Sequence, residues 1–268
     1  MIKKFIITGD THGQIATRLD NIASNEEYEK EQTAVIILGD AGANFYCNKS
    51  EKKKKCQLSQ YGIYVYCVRG NHEERPENLG YEVIWDENVN GNVYIDPDNE
   101  KIRYFIDGGE YNINGHSVLT IGGAYSVDKY WRLQCAAAAG QSFSGWFKDE
   151  QLTAEEMEAI SNKVANKDYD FVLTHTCPIS WEPRDLFLGM IDQSTVDKSM
   201  EFWMDDLKDK ITWKVWLFGH YHRDRLERPG VEMFYRNMED LDTIWKRWTT
   251  DEELPWWLAK SPNYWMGI

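Results

Sequence analysis

Phe5-Ile6-Ile7-Thr8-Gly9-Asp10-Thr11-His12-Gly13 is a short apolar run that ends abruptly in glycine, carboxylate and imidazole. Such a run, bounded by turn residues, suits a strand buried on both faces. The same pattern recurs along the chain. Val35-Ile36-Ile37-Leu38 runs into Gly39-Asp40, and Val65-Tyr66-Cys67-Val68 into Arg69-Gly70-Asn71-His72. Phe171-Val172-Leu173-Thr174 runs into His175, and Val215-Trp216-Leu217-Phe218 into Gly219-His220. Polar residues at the carboxyl ends of such strands are where α/β folds place their sites.

Helical stretches fill the intervals. Ile15, Leu19 and Ile22 share one face. Residues 47–61, with Lys52 to Lys55, read as an exposed, charged helix. Thr153-Ala-Glu-Glu156 is a capping box that opens a helix to about Asn166, and Ser194 or Thr195 is placed to cap another, to about Lys210. The middle differs: residues 92–95, 102–106, 111–113 and 117–121 are short strand candidates separated by Asn-Gly, Asp-Gly and Gly-Gly turns, the pattern of an antiparallel meander.

Composition narrows the classes. The 268 residues fit one large domain or two small ones. Hydrophobic content of 42% argues against disorder. No apolar run reaches the roughly 18 residues of a membrane span, and the N-terminus reads as a strand rather than a signal peptide. Lys and Arg number 30 against 44 Asp and Glu, and this acidic balance argues against avid nucleic-acid binding. The five cysteines are odd in number and form no C-x-x-C, so reduced thiols in a cytoplasmic protein are the simplest reading. Trp245, Trp248, Trp256, Trp257 and Trp265 crowd the C-terminus, which suggests a main body over residues 1–240 and an extension, 241–268, packed on or beside it.

The strand-end residues form a constellation: Asp10, His12, Asp40, Asn71, His72, His175, His220 and His222. Only His116, of six histidines, lies outside it. Aspartate and histidine supply oxygen and nitrogen ligands suited to manganese, iron or zinc. Asp10-x-His12 and His220-x-His222 let two side chains on one turning segment face one site. Each motif alone is a weak signal. Asp10, Asp40 and Asn71 follow one another at intervals of about thirty residues, one strand–helix–strand unit each.

Gly9-Asp-Thr-His-Gly13, Gly39-Asp-Ala-Gly42, Gly70-Asn-His-Glu73, His175 and Gly219-His-Tyr-His222 resemble the five-motif signature of the calcineurin-like metallophosphoesterase superfamily. The resemblance implies a four-layer α/β/β/α sandwich with two central mixed sheets and a dinuclear metal site at the strand carboxyl ends. It implies that Asp10, His12, Asp40 and His222 hold one ion and Asp40, Asn71, His175 and His220 the other, with Asp40 bridging. His72 would be the proton donor. Two divalent ions are expected, manganese first, with iron, zinc, nickel or magnesium as alternatives. Arg69-Gly-Asn-His-Glu73 is nearest to the serine/threonine phosphoprotein phosphatase branch. That branch follows its second motif with Asp-Arg-Gly, which grips phosphate and orients the histidine. Here Ala43 and Asn44 stand in those places. Asn44 could donate one hydrogen bond to phosphate, and Arg132 is a candidate for the missing arginine. The implied function is hydrolysis of a phosphomonoester, on a protein or small molecule, by water activated between the ions. The alternatives are a phosphodiesterase, nucleotide hydrolase or nuclease, and a silent metal-binding scaffold.

Overall fold

The computed structural model describes residues 1–250 except 188 and 190. In chain order, β1 (Lys4–Thr8), α1 (Ile15–Ser24), β2 (Thr33–Leu38), α2 (Lys49–Leu58) and β3 (Tyr64–Val68) come first. Then come β4 (Glu82–Asp86), β5 (Gly91–Ile95), β6 (Ile102–Phe105), β7 (Gly109–Ile113) and β8 (His116–Ile121). The helices α3 (Lys129–Ala139) and α4 (Ala154–Val164) precede β9 (Asp168–Thr174), α5 (Ser199–Lys208) and β10 (Thr212–Phe218). The chain continues through β11 (Arg225–Arg228), β12 (Val231–Met233), β13 (Met238–Asp240) and α6 (Leu241–Thr249).

The strands form two sheets, ordered β13-β1-β2-β3-β6-β5-β4 and β11-β12-β10-β9-β8-β7. Strand alternation then sets the layers. Phe5, Ile7, Ile36 and Leu38 face the other sheet, where they meet Val118, Phe171, Leu173 and Leu217. Ile6, Val35 and Ile37 face outward and are covered by Ile15, Leu19 and Ile22 of α1. On the far side, Val172, Trp216 and Phe218 lie under Met157 and Ile160 of α4 and Met200 and Met204 of α5. The result is the four-layer α/β/β/α sandwich with two mixed sheets that the resemblance implied. It explains why β2 is buried along its whole length.

Within each sheet the strands that carry the motifs run parallel: β1, β2 and β3 in one, and β9 and β10 in the other. Their carboxyl ends therefore gather at one end of the sandwich. Among the described residues, no helix is long and apolar enough to cross a membrane.

Three expectations change. The middle strands are not one meander. β5 and β6 pair antiparallel in the first sheet, while β7 and β8 pair antiparallel in the second. The chain crosses between sheets at the Asp107-Gly108 turn, because turn chemistry fixes a reversal but not the sheet that receives the next strand. Residues 47–61 are not a wholly exposed helix either. Glu51 and Lys55 are buried, and Lys55 Nζ lies 2.8 Å from an Asp96 oxygen. Finally, Ser194 and Thr195 do not cap α5. They lie in a single 3₁₀ turn that Asp192 caps, and α5 starts at Ser199 without a side-chain cap. The capping box at Thr153 and Glu156 is present as read.

α6 follows β13 directly and inserts Leu241 and Ile244 into the core between the sheets, with Trp245 and Trp248 packed against it. Trp256, Trp257 and Trp265 lie outside the described residues.

Candidate metal centre

Each parallel strand stops where its backbone must turn sharply. Gly39 follows β2 with φ +93°, and a Cβ there would fall 1.9 Å from His175 Nδ1. A Cβ on Gly70, after β3, would fall 1.9 Å from Asp40 Oδ1. Only glycine lets these two loops approach the opposite ligands so closely. Among the described residues, His12, Asp40, His220 and His222 hold left-handed φ angles of 44°, 49°, 68° and 53°. Besides Cys47, the other non-glycine residues in that region are asparagines, which tolerate it. Aspartate and histidine, like asparagine, occur there more often than other side chains, and these four cluster around one site.

The loops bring together all seven residues expected at the metals. Asp10, His12 and His222 form one group whose ligand atoms lie within 4.8 Å of one another, and Asp10, Asp40 and His175 form a second. Asp10 Oδ1 accepts the His220 backbone N–H at 2.9 Å. Its Oδ2 is buried and has no hydrogen-bond partner, although His222 Nε2 lies 3.2 Å away out of alignment. Asp40 stands between the groups, with Oδ1 3.7 Å from His175 Nε2 and Oδ2 3.9 Å from His12 Nδ1. His12 Nε2 and His222 Nε2 are 2.8 Å apart.

His175 Nδ1 donates to the Leu38 carbonyl at 2.8 Å. Its Nε2 faces Asn71 Oδ1 at 2.8 Å. Asn71 is held in this orientation. Its Nδ2 donates to Ser126 Oγ at 2.8 Å, and Ser126 in turn donates to the buried Glu150. His220 Nδ1 approaches the same Oδ1 at 3.1 Å. Imidazole nitrogens and an amide oxygen converging here, beside an orphaned carboxylate oxygen, form a set of ligand atoms that fits a cation. The donor set, oxygen and imidazole together, suits divalent transition metals.

Electrostatics follow from this crowding. Burial works against ionisation of Asp40, but His175, His72 and His12 outweigh it and hold the carboxyl down to about 2. Burial, with His175 beside it, pushes His220 down to about 3, so its imidazole is neutral. Contact with the Asp10 carboxylate raises His222. Burial lowers His72 against the pull of Asp40, and Arg132 adds to the lowering.

His72 stands beside this cluster. Its backbone N–H donates to Asp40 Oδ1 at 2.8 Å. Its Nδ1 is buried without a partner, as expected where Ala43 replaces an orienting carboxylate. A cavity of about 870 Å³ opens over it, lined by His12, Phe45, Tyr46, His72 and Arg132 among others. Arg132 Nη2 is 3.5 Å from His72 Nε2. The guanidinium is held by Asp128 Oδ2, which accepts from Nε at 2.7 Å, and by the Gly145 carbonyl at 3.2 Å from Nη1. Asn44 is elsewhere. It is fully buried, its Oδ1 accepts from the Tyr81 hydroxyl at 2.8 Å, and it does not line the cavity.

Sequence reasoning missed the residues that hold the loops. Glu73 accepts the N–H of Gly42 at 2.8 Å and of Gly70 at 3.2 Å, which ties the second motif to the third. Glu73 lies inside a quoted motif and could have been singled out. Ser126 and Glu150 carry no signal of their own, since they meet Asn71 only through space.

Three comparisons bear on this centre. A phosphopantetheinyl hydrolase from Mycobacterium tuberculosis is similar in structure over 92% of this chain and 93% of its own, at 12% identity and a TM-score of 0.42. No curated protein matches the chain. The model of the calcineurin-like phosphoesterase family matches residues 3–224, a span that contains all five motif loops. The layers, the converging strand ends and that match place the chain in the calcineurin-like phosphoesterase family, as a metal-dependent phosphoester hydrolase.

Proposed function

We propose that this enzyme hydrolyses phosphomonoesters, with Arg132 as the phosphate grip. The carrying observation is the Arg132 guanidinium 3.5 Å from His72 in the cavity wall. A monoester brings a doubly charged terminal phosphate, and a pre-oriented guanidinium favours it over a singly charged diester. Asp128 and Gly145 fix the fork before substrate arrives.

Asp10, His12, Asp40 and His222 would hold one divalent ion, and Asp40, Asn71, His175 and His220 the other. The position of Asp40 between His12 and His175 supports its bridging role. When bound, the two ions supply Lewis acidity to the phosphoryl group and make water nucleophilic at neutral pH. Asp10 and Asp40 balance part of their charge. His72 Nε2 faces the leaving oxygen and donates its proton there, a contribution of about 10²–10⁴-fold. The phosphate charge beside His72 favours the protonated imidazole that this step needs. Manganese is the metal proposed first, from the mixed oxygen and nitrogen donors. The five unpaired cysteines support a reducing, cytoplasmic setting.

Paired kinetics on p-nitrophenyl phosphate and bis-p-nitrophenyl phosphate test the reading. The monoester should be preferred by about a hundredfold or more in kcat/KM, roughly 3 kcal/mol of transition-state discrimination. Arg132→Ala should remove most of that preference. A diester preference in the native enzyme would replace this reading with a phosphodiesterase.

A further inference from the structure

The cavity has a second wall, made of rings. Phe45 and Tyr46 line it, with centroids 4.7 Å apart and ring planes at 89°. Phe143 stands edge-on to Phe45 at 5.4 Å and lies 5.9 Å from Tyr46. Phe147 backs the cluster, 6.0 Å from Phe45. Although packed together, Tyr46 and Phe143 remain 61% and 41% exposed. An open aromatic cluster beside this cavity has apolar surface left to cover.

This wall is held in place by dedicated contacts. The buried Glu51 carboxylate accepts the backbone N–H groups of Phe45 and Tyr46 at 3.0 Å each, and that of Cys47 at 2.7 Å. These three bonds fix a turn in which Cys47 takes a left-handed φ of 49°. The rings also adjoin the phosphate grip. Arg132 Nη1 and the edge of the Phe45 ring each lie 3.1 Å from where a Cβ on Gly145 would stand. A group bonded to a phosphate on Arg132 therefore begins within reach of the rings.

We propose that this wall binds a planar ring in the leaving group, so that the preferred substrates are phosphate esters of alcohols carrying a nucleobase or an aryl ring. The proposal rests on the phosphoesterase reading of the same site and names its substrate class. Edge-to-face and offset contacts between rings add to the burial of apolar area. Arg132 and the metal-binding loops hold the phosphate, and the rings select what it is attached to.

Two pairs of esters test this on the full chain supplied with manganese. AMP and ribose 5-phosphate release the same primary alcohol oxygen, with and without a base. 2-Naphthyl and phenyl phosphate extend the comparison to aryl esters. The ring-bearing or wider-ring member should be favoured at least about tenfold in kcat/KM in one pair, and the pair that shows it identifies the source of the ring. Tyr46→Ala/Phe143→Ala should bring that ratio to about one, while Tyr46→Phe should keep it. The exposure of both side chains lets the double variant fold, which its melting temperature checks. Ratios near one in both native pairs, or a ratio that survives the double variant, would overturn the proposal. If no ester is turned over, the phosphoesterase reading fails by itself. Calorimetric binding of AMP and ribose 5-phosphate then still decides the ring wall, because equal Kd values reject it.

Discussion

Glu201 is a carboxyl that the reaction does not use. It is buried on α5, where Oε1 accepts from the Thr176 hydroxyl at 2.8 Å and Oε2 has no partner. Burial pushes its pKa up to about 7, with Glu182 nearby adding to the rise. The unfolded chain releases this proton near the ordinary 4.5, so between that value and 7 the folded state holds more protons. Stability from this group is complete below about 4.5 and is lost as pH rises through 7. Glu201→Gln, which is neutral throughout, should therefore flatten the fall in stability over that window. At pH 8 it should melt higher than native, by up to about 3 kcal/mol in unfolding free energy. Melting temperatures of both proteins from pH 4 to 8 check this, and parallel curves would refute it. At Asn71 the orientation of the amide is the point. Ser126→Ala removes the acceptor that holds Nδ2 outward, so metal affinity should drop about 10–100-fold, as read by competition with a chelator. Aspartates and histidines were legible because they stand at the ends of apolar runs. Ser126 and Glu150 were not, since 55 and 79 positions separate them from the amide they serve and no local pattern joins them.

At the scale of elements, α2 shows how a charged segment becomes part of the interior. Its four consecutive lysines read as a solvated face, and Lys52, Lys53 and Lys54 behave so. Lys55 falls on the side facing the protein, one residue on and about 100° around the helix axis from Lys54. There its ammonium meets Asp96 at 2.8 Å and the Tyr81 hydroxyl at 3.0 Å. Lys55→Met should destabilise by about 3–5 kcal/mol, because Asp96 is left buried and unpaired. Lys55→Met/Asp96→Asn should recover part of that loss, which urea denaturation of the set would measure. Full additivity of the two substitutions would show that the pair is not coupled. The capping box of α4 was readable because its two bonds join residues three apart. The start of α5 was not, since hydroxyls at Ser194 and Thr195 serve equally in a lone 3₁₀ turn. The middle hairpins were readable as hairpins, but the sheet each joins depends on partners far along the chain.

On the scale of the whole molecule, the centre is the seam between two sheets. His175 leaves the second sheet and hydrogen-bonds Leu38 in the first, and His220 donates its backbone N–H to Asp10. Divalent ions that join these groups bind only the closed sandwich, so they should stabilise it by mass action. At a hundredfold excess over Kd, one site contributes about 2.7 kcal/mol, or roughly 5–10 °C in a chain of this size. Melting with and without a chelator measures it, and an unchanged Tm would argue against a centre built across the seam. The four layers were legible only through the resemblance carried by the five motifs, because the apolar runs alone showed buried strands and not how they stack. The cavity was not, because its rings come from separate loops and its arginine from α3. The position of Arg132 has a consequence for descent. The proposed phosphate grip lies on α3, which carries none of the candidate ligands, whereas the proposed ring wall at Phe45 and Tyr46 shares the loop between β2 and α2 with Asp40. Substitutions in α3 leave the backbone of the ligand loops as it is, and those in the turn at Phe45 do not. Descent can therefore alter the proposed grip on α3 while the candidate ligand loops stay unchanged.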